Sequence, residues 1–423
     1  MFRKWFEVHW LPVVAGLAVV TTGLAFDFYW PEVVHHQHYW MTPSDLWASL
    51  RATRFVQHGA LSYVYGSQSG LVTLPGLEVL LVPVNFLIDV LHLVPAVPGI
   101  YPAKPSAYYV LGPAQMLTAF VPLFGADALA RALGMGRGWP RAALQLGVVV
   151  ATWPVTAMWG HPEDALALGL LLYALVALIT DRWVMVGWLL GAAMAMQLFA
   201  VLLVPVVVGS LGLRRGVATI ARSLVLPGVL ATAVLVPDFG DAWRGLVRQP
   251  NFPTVDHPTP WVLLAPKMGH DIVAAGPGRI VALAACVAAG WAVWRRPATP
   301  HRIVWWCAVA LAARCLFEAV MVPYYVAPAV VLALCAAATG GPVRVALTGL
   351  VASSLVVVVH THSGMWQWWT QMALLVVGLL GMASGVTWTQ LWMLGRRRTL
   401  PAEDYTNSDG ATSPLRVVSV AGR

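Results

Sequence analysis

Hydrophobic stretches long enough to cross a lipid bilayer recur from one end of this chain to the other, and they decide the fold class before any motif does. A hydrocarbon layer of ~30 Å takes about 20 residues of apolar helix. Runs near 10–26, 107–130, 142–159, 164–181, 218–236, 278–294, 302–320, 324–339, 343–360 and 371–394 approach or meet that length. Only 10% of the 423 residues are charged and 59% are hydrophobic, whereas a soluble domain carries about 25% charged residues. Backbone amides find no water inside a bilayer, so apolar segments of this length must satisfy themselves as helices. The pattern predicts an all-α polytopic membrane protein. A formal net charge of +8 therefore reads as a matter of which side the basic residues occupy, and no nucleic-acid partner is expected. Of the 26 basic residues 23 are arginine, a skew that suggests a GC-rich bacterial genome and hence a bacterial plasma membrane.

Two stretches resist simple counting. Residues 74–97 contain Pro75, Glu78, Pro83, Asp89, His92 and Pro95, and residues 183–212 are too long for one helix and too short for two ordinary ones. Cytoplasmic loops carry the excess of Lys and Arg. If 74–97 is a broken helix lying in the outer interface and 183–212 is a pair of half-helices meeting near Gln197, the Arg-rich turns all fall on one side. These turns hold Arg131, Arg137 and Arg141, Arg182, Arg214 to Arg222, Arg295 to Arg302, Arg344, and Arg396 to Arg398. The expectation is about twelve membrane helices including the two half-helices, with both termini cytoplasmic. The transmembrane domain covers 1–398, with outer loops at 27–106 and 237–277 and outer interfacial helices. Residues 399–423 have the composition of a disordered cytoplasmic tail. Arg3 and Lys4 precede the apolar stretch Leu11 to Phe26, which lacks a small-residue cleavage site and reads as an uncleaved first span. Cys286, Cys307, Cys315 and Cys335 lie in apolar runs without ligand spacing and read as small buried hydrophobes.

On this arrangement twelve of the 18 acids face outward, which points to chemistry on the outer face. Asp45 opens an amphipathic stretch containing Leu46, Trp47 and Leu50. It is either a helix-capping carboxylate or a general base whose partial desolvation raises its pKa. Asp27, at the outer end of the first span, is the rival base. His161, Glu163 and Asp164 open a helix between two apolar spans. Pro162 suits the first helical turn and the acids suit its positive end; alternatively the three line a site, where His161 and one acid could supplement a divalent cation's ligands. Gln197 is the one strongly polar side chain of its stretch, and a membrane-buried amide needs a partner, so it is assigned to the site lining. Gly187, Gly191 and Ala195 recur at four-residue spacing, which allows a neighbouring helix to approach closely. Arg314 and Glu318 lie four apart near the end of a span, either as an intramembrane ion pair or with Arg314 holding a lipid phosphate. His35, His36 and His38, and His360 with His362, lack ligand spacing. Trp366, Trp368 and Trp369 fit an aromatic belt.

Taken in order, these features resemble the GT-C superfamily of membrane glycosyltransferases, in the branch that uses polyprenyl-phosphate sugars such as polyprenyl-phosphomannose. The likeness covers roughly residues 1 to 340. Asp45, Gly59, Tyr63, Tyr65 and Leu74-Pro75-Gly76 follow the order of that family's first-loop acid, Gly/Tyr segment and Tyr-Pro-Pro-like helix. Gly160 to Asp164 is similar to its second polar turn, and Gly187 to Pro205 to its Gly-rich half-helix pair, with Gln197 where Lys is usual. Pro323-Tyr324-Tyr325 with Pro328 resembles its outer Tyr-Pro segment. The resemblance implies a polyprenyl-phosphate sugar as donor, a lipid or glycan as acceptor and the surrounding membrane lipids as partners. It also implies Asp45 as base, Arg314 as phosphate-binding cation, and a substrate site including His161, Glu163, Asp164, Gln197, Glu318, Tyr324 and Tyr325. A transporter or lipid flippase, with its broken helices, and an inactive scaffold of the same layout are the alternatives.

Overall fold

The computed structural model describes residues 2–35, 40–66, 69, 71–96, 104–136, 138–247, 250–251, 256–268, 271–273, 276–296 and 298–385. Residues 1–385 form one compact unit. The expected tail, Arg396 to Arg398, and His36 and His38 lie outside the described residues. Seven described segments are long and apolar enough to cross a membrane: Val8–Trp30, Tyr108–Ala132, Pro162–Ile179, Leu198–Leu235, Pro277–Arg295, Pro323–Gly340 and Pro342–Val359. The chain is an all-α polytopic membrane protein, and its strands are only two or three residues long.

The helices run between a basic end and an end that holds a cavity. Helix α1 (Phe2–His35), α2 (Ser44–Gln57), α3 (Gly76–Val90), α4 (Tyr108–Leu117), α5 (Phe120–Ala132) and α6 (Trp139–Trp153) come first. At the basic end Asp127 of α5 is fully buried and grips Arg141 of α6, whose Nη2 donates to Asp127 Oδ2 at 2.6 Å and to the Val8 carbonyl at 2.7 Å. Burying an acid there is tolerable because its charge is paired and its oxygens hydrogen-bonded. From the cavity end α7 (Pro162–Ile179) runs back for about 27 Å at 1.5 Å per residue.

The 183–212 stretch reverses direction where the sequence predicts. Helix α8 (Trp183–Met196) stops at Gln197, which is extended at φ −152° and ψ 126°. A 3-10 turn (Leu198–Leu203) leads into α9 (Val204–Ser223), which itself breaks at Gly212 with φ 72°. Arg215 Nη1 donates to Asp181 Oδ1 at 2.9 Å, so both ends of the hairpin return to the basic end. A Cβ on Gly191 would meet the Ser223 carbonyl at 2.7 Å, which accounts for the small-residue spacing as a close helix approach.

Three readings differ from expectation. Helix α1 continues to His35, so Asp27 lies inside it and not at the mouth of a loop. Helix α3 is a single helix through Pro83 and not a broken one; Leu77, Leu81 and Ile88 form one buried face that packs under α2 and α4 and holds it together. Helix α13 (Pro300–Phe317) ends before Glu318, which is extended at ψ 142°. The remaining elements are α10 (Val225–Leu235), α11 (Phe239–Val247), α12 (Pro277–Arg295), α14 (Ala327–Ala337), α15 (Pro342–Val359) and α16 (Met365–Ser384). Helix α14 is buried along its whole length and forms the axis of the main core. His257–Pro258 pairs antiparallel with Val320–Met321, and Thr259 Oγ1 donates to the Glu318 carbonyl at 2.5 Å. That clamp fixes the loop bearing Asp256 over the end of α13.

Candidate active site

Chain breaks at the ends of four helices make the site. Helix α6 widens into a π turn over Pro154–Met158, a distortion common beside functional positions. The chain then turns through Gly160 at φ 66°, a backbone state that a side chain would strain. A Cβ at Gly160 would also collide with Pro43, the residue before α2. This one glycine therefore lets the start of α2 rest on the start of α7, and Asp45 comes to His161.

His161 lies between carboxylates. Its Nδ1 is 2.7 Å from Glu163 Oε1 and 3.7 Å from Asp164 Oδ2, and its Nε2 is 3.0 Å from Asp45 Oδ2. Burial alone would lower its pKa, but the Glu163 charge, the hydrogen bonds to Asp45 and Glu163 and the Asp164 charge raise it well above the usual histidine value. The ring packs on Tyr324 with centroids 4.2 Å apart. Gln197, half-buried, donates from Nε2 to Asp164 Oδ2 at 3.2 Å.

Asp45 does not cap α2; Pro43 occupies the cap position and no side chain bonds there. Its side chain is 60% exposed, and it forms part of the wall of a cavity of about 610 Å³. Desolvation pushes its pKa up, but the His161 hydrogen bond and charge, and the Ser44 hydroxyl, outweigh this and leave it below the usual aspartate value. The expected upward shift is thus reversed by a partner on another helix.

Arg314 reaches the same cavity. Its guanidinium lies 3.7 Å from the Tyr325 ring centroid and 5.7 Å from that of Phe199. It forms no ion pair with Glu318, because Glu318 has left the helix and is 2% exposed against Arg279. Arg279 donates from Nε to Glu318 Oε1 at 2.7 Å, and its Nη2 lies 2.7 Å from the same oxygen as an ion pair. Among the described residues no carboxylate lies within ion-pair distance of Arg314, so its donors are available to a ligand.

The cavity brings Asp45, His161, Glu163, Gln197, Arg314, Glu318, Tyr324 and Tyr325 together, with Asp164 directly behind Gln197. Asp27 does not line it. That carboxylate is fully buried and accepts the Tyr108 hydroxyl at 2.7 Å, which in turn accepts from Gln115 Nε2 at 2.9 Å. Two contributors to the cavity wall, Arg279 and Asp256, and one buried acid outside it, Glu78, were not singled out as site residues from the sequence. Arg279 carried no signal beyond its charge. Asp256, in a Pro-rich loop, lines the cavity and is pushed up to about 6 by burial and by the Asp45 charge. Glu78, 1% exposed in the first turn of α3, has both carboxyl oxygens without hydrogen-bond partners and is pushed up to about 8 by burial. An acid inside an otherwise apolar helix was the available signal for Glu78.

Trp368 is buried rather than part of a belt. It stacks on His257 with centroids 4.3 Å apart and planes 11° from parallel, and burial lowers His257 to about 4. His362 packs against the same imidazole at 4.8 Å, while His360 Nε2 accepts the Trp159 indole at 3.2 Å. These histidines brace the roof of the site.

The cavity wall changes character across its width. Asp45, His161, Asp256 and Arg314 are polar, whereas Leu198, Val201, Leu202 and Leu283 are apolar, and Leu198, Val201 and Leu283 are exposed. Such a wall can hold an anionic head group with an apolar chain attached. Compared with descriptions of known protein families and with curated protein sequences, the chain matches none.

Proposed function

We propose that this protein is a membrane glycosyltransferase of GT-C type that moves a sugar from a polyprenyl-phosphate donor to a lipid or glycan acceptor. The observation that carries the reading is one cavity holding a carboxylate, Asp45, and a guanidinium without an ion-pair partner, Arg314, beside a wall of exposed apolar side chains. The positive-inside rule, applied to the Arg-rich turns of the sequence, supports a cytoplasmic basic side and a cavity on the outer face of a bacterial plasma membrane.

The acceptor hydroxyl attacks the anomeric carbon while its proton passes to Asp45. The bond from that carbon to the phosphate oxygen breaks, and its electron pair leaves with the phosphate. Asp45 is ionised at neutral pH and stays oriented by His161 Nε2. Arg314 meets the negative charge that grows on the leaving phosphate, the kind of fixed donor worth about 10²–10³ in rate. Phosphate leaves without protonation, so one carboxylate suffices where a glycosidase needs two. Tyr325 beneath Arg314 holds its planar fork toward the cavity.

The test is transfer of labelled sugar from polyprenyl-phosphate sugars to membrane acceptors by the purified protein in liposomes. Transfer that falls at least 100-fold in Asp45→Asn, at unchanged expression and helix content, supports the reading. Uptake of the lipid or sugar without any product would replace it with transport.

A further inference from the structure

The structure assigns a divalent-cation site to His161 Nδ1, Glu163 and Asp164 at the head of α7. One ligand atom from each lies within 4.8 Å of the others. Ligand bonds of ~2.1 Å place neighbouring donors on one ion about 3.0 Å apart and opposite donors about 4.2 Å apart. The observed 2.7 Å from Nδ1 to Glu163 and 3.7 Å from Nδ1 to Asp164 need only small side-chain adjustments.

Two further observations point to a ligand here. Glu163 is 7% exposed, yet its second oxygen, Oε2, is buried without a hydrogen-bond partner, an expensive state that a bound cation relieves. The surroundings are also those of a metal site. A ligating histidine almost always gives its other N–H to a carboxylate, and ligating carboxylates are themselves hydrogen-bonded. His161 Nε2 meets Asp45 at 3.0 Å, and Gln197 holds Asp164 Oδ2 at 3.2 Å.

Charge agrees with this assignment. The end of a helix N-terminus carries about half a positive charge, which two carboxylates in the first turn exceed. One imidazole and two carboxylates suit a small divalent ion of the Mn2+ or Zn2+ kind. The ion takes the place of the Nδ1 proton, and the remaining N–H still donates to Asp45. Because His161 and Glu163 line the cavity, the ion keeps a face toward the substrate. This assignment does not depend on glycosyl transfer.

The probe is MnCl2, titrated into the EDTA-stripped full-length protein and followed by the loss of the free-ion electron paramagnetic resonance signal. Saturable binding of one Mn2+ per chain, displaced by Zn2+ and accompanied by proton release, is expected. Glu163→Gln/Asp164→Asn should weaken it at least 100-fold, whereas Asp45→Asn should weaken it only about tenfold. No saturable binding by the folded wild type up to 1 mM, roughly the weak end for biological cation sites, overturns the assignment whatever the variants do. Equal binding by the helical, monodisperse double variant overturns it as well.

Discussion

Replacing Glu78 with glutamine should stabilise the protein, by an amount that depends on pH. Glu78 is 1% exposed, neither carboxyl oxygen has a hydrogen-bond partner, and burial pushes it from the usual 4.5 to about 8. At pH 7 the unfolded chain carries this side chain ionised and the folded chain carries it protonated. Taking up that proton 2.5 units above 4.5, at 1.36 kcal/mol per unit, costs folding about 3 kcal/mol. Because the folded pKa is raised, the wild type is favoured most below pH 4.5 and loses stability as pH rises toward 8. The loss at pH 5 is under about 1 kcal/mol by the same reasoning. Glutamine has nearly the same shape and never ionises, so Glu78→Gln should gain about 3 kcal/mol at pH 7 and little at pH 5. Reversible unfolding in mixed detergent micelles, with EDTA present and at both pH values, measures the difference. A variant no more stable than wild type at pH 7, or one with the same gain at both pH values, would refute the assignment of a buried neutral acid.

Gly160→Ala should cost about 1–3 kcal/mol through the positive φ alone, and its contact with Pro43 should pull Asp45 from His161; thermal melts and transfer assays on the same preparation check both effects. Arg279→Met strands Glu318, which is 2% exposed, and should destabilise by about 3–5 kcal/mol, while Arg279→Met/Glu318→Met recovers most of that in unfolding measurements. Arg314→Lys keeps the charge but loses the planar fork over Tyr325, so transfer should fall at least tenfold with the melting temperature within a few degrees of wild type. Asp256 ionises near pH 6 in the cavity wall. The KM for an anionic donor should therefore rise as pH passes upward through 6, and Asp256→Asn should flatten that profile.

Much of this architecture is written in side-chain type. Long apolar runs set the class, and Gln197 marked the reversal because a lone amide among aliphatic residues must find a partner; it finds Asp164. His161, Glu163 and Asp164 were visible as ionisable groups at a helix start. What the sequence hid are meetings between distant segments. Nothing local says that Asp45 lies on His161, 116 residues away, because that contact depends on the backbone angle at Gly160. The downward shift of the Asp45 pKa follows from the same contact, so burial reasoning on Asp45 alone gave the wrong sign.

Arg314 and Glu318 show how a correct local rule fails. Spacing of four pairs side chains only while the helix persists, and α13 ends at Phe317. Glu318 then lies in an extended segment, where Arg279 of α12 reaches it with two nitrogens at 2.7 Å. A buried carboxylate is stabilised by a charge-assisted hydrogen bond joined to an ion pair, and Arg279 supplies both. The pairing satisfies Glu318 and leaves the Arg314 guanidinium stacked on Tyr325 and facing the cavity, with no carboxylate among the described residues within ion-pair distance. Had α13 run one turn further, Glu318 would face Arg314 along the helix, and Arg279, which also lines the cavity, would be the guanidinium left without that carboxylate. The early helix end therefore decides which of the two guanidiniums meets a phosphate in the proposed chemistry, and it selects the one held on the Tyr325 ring.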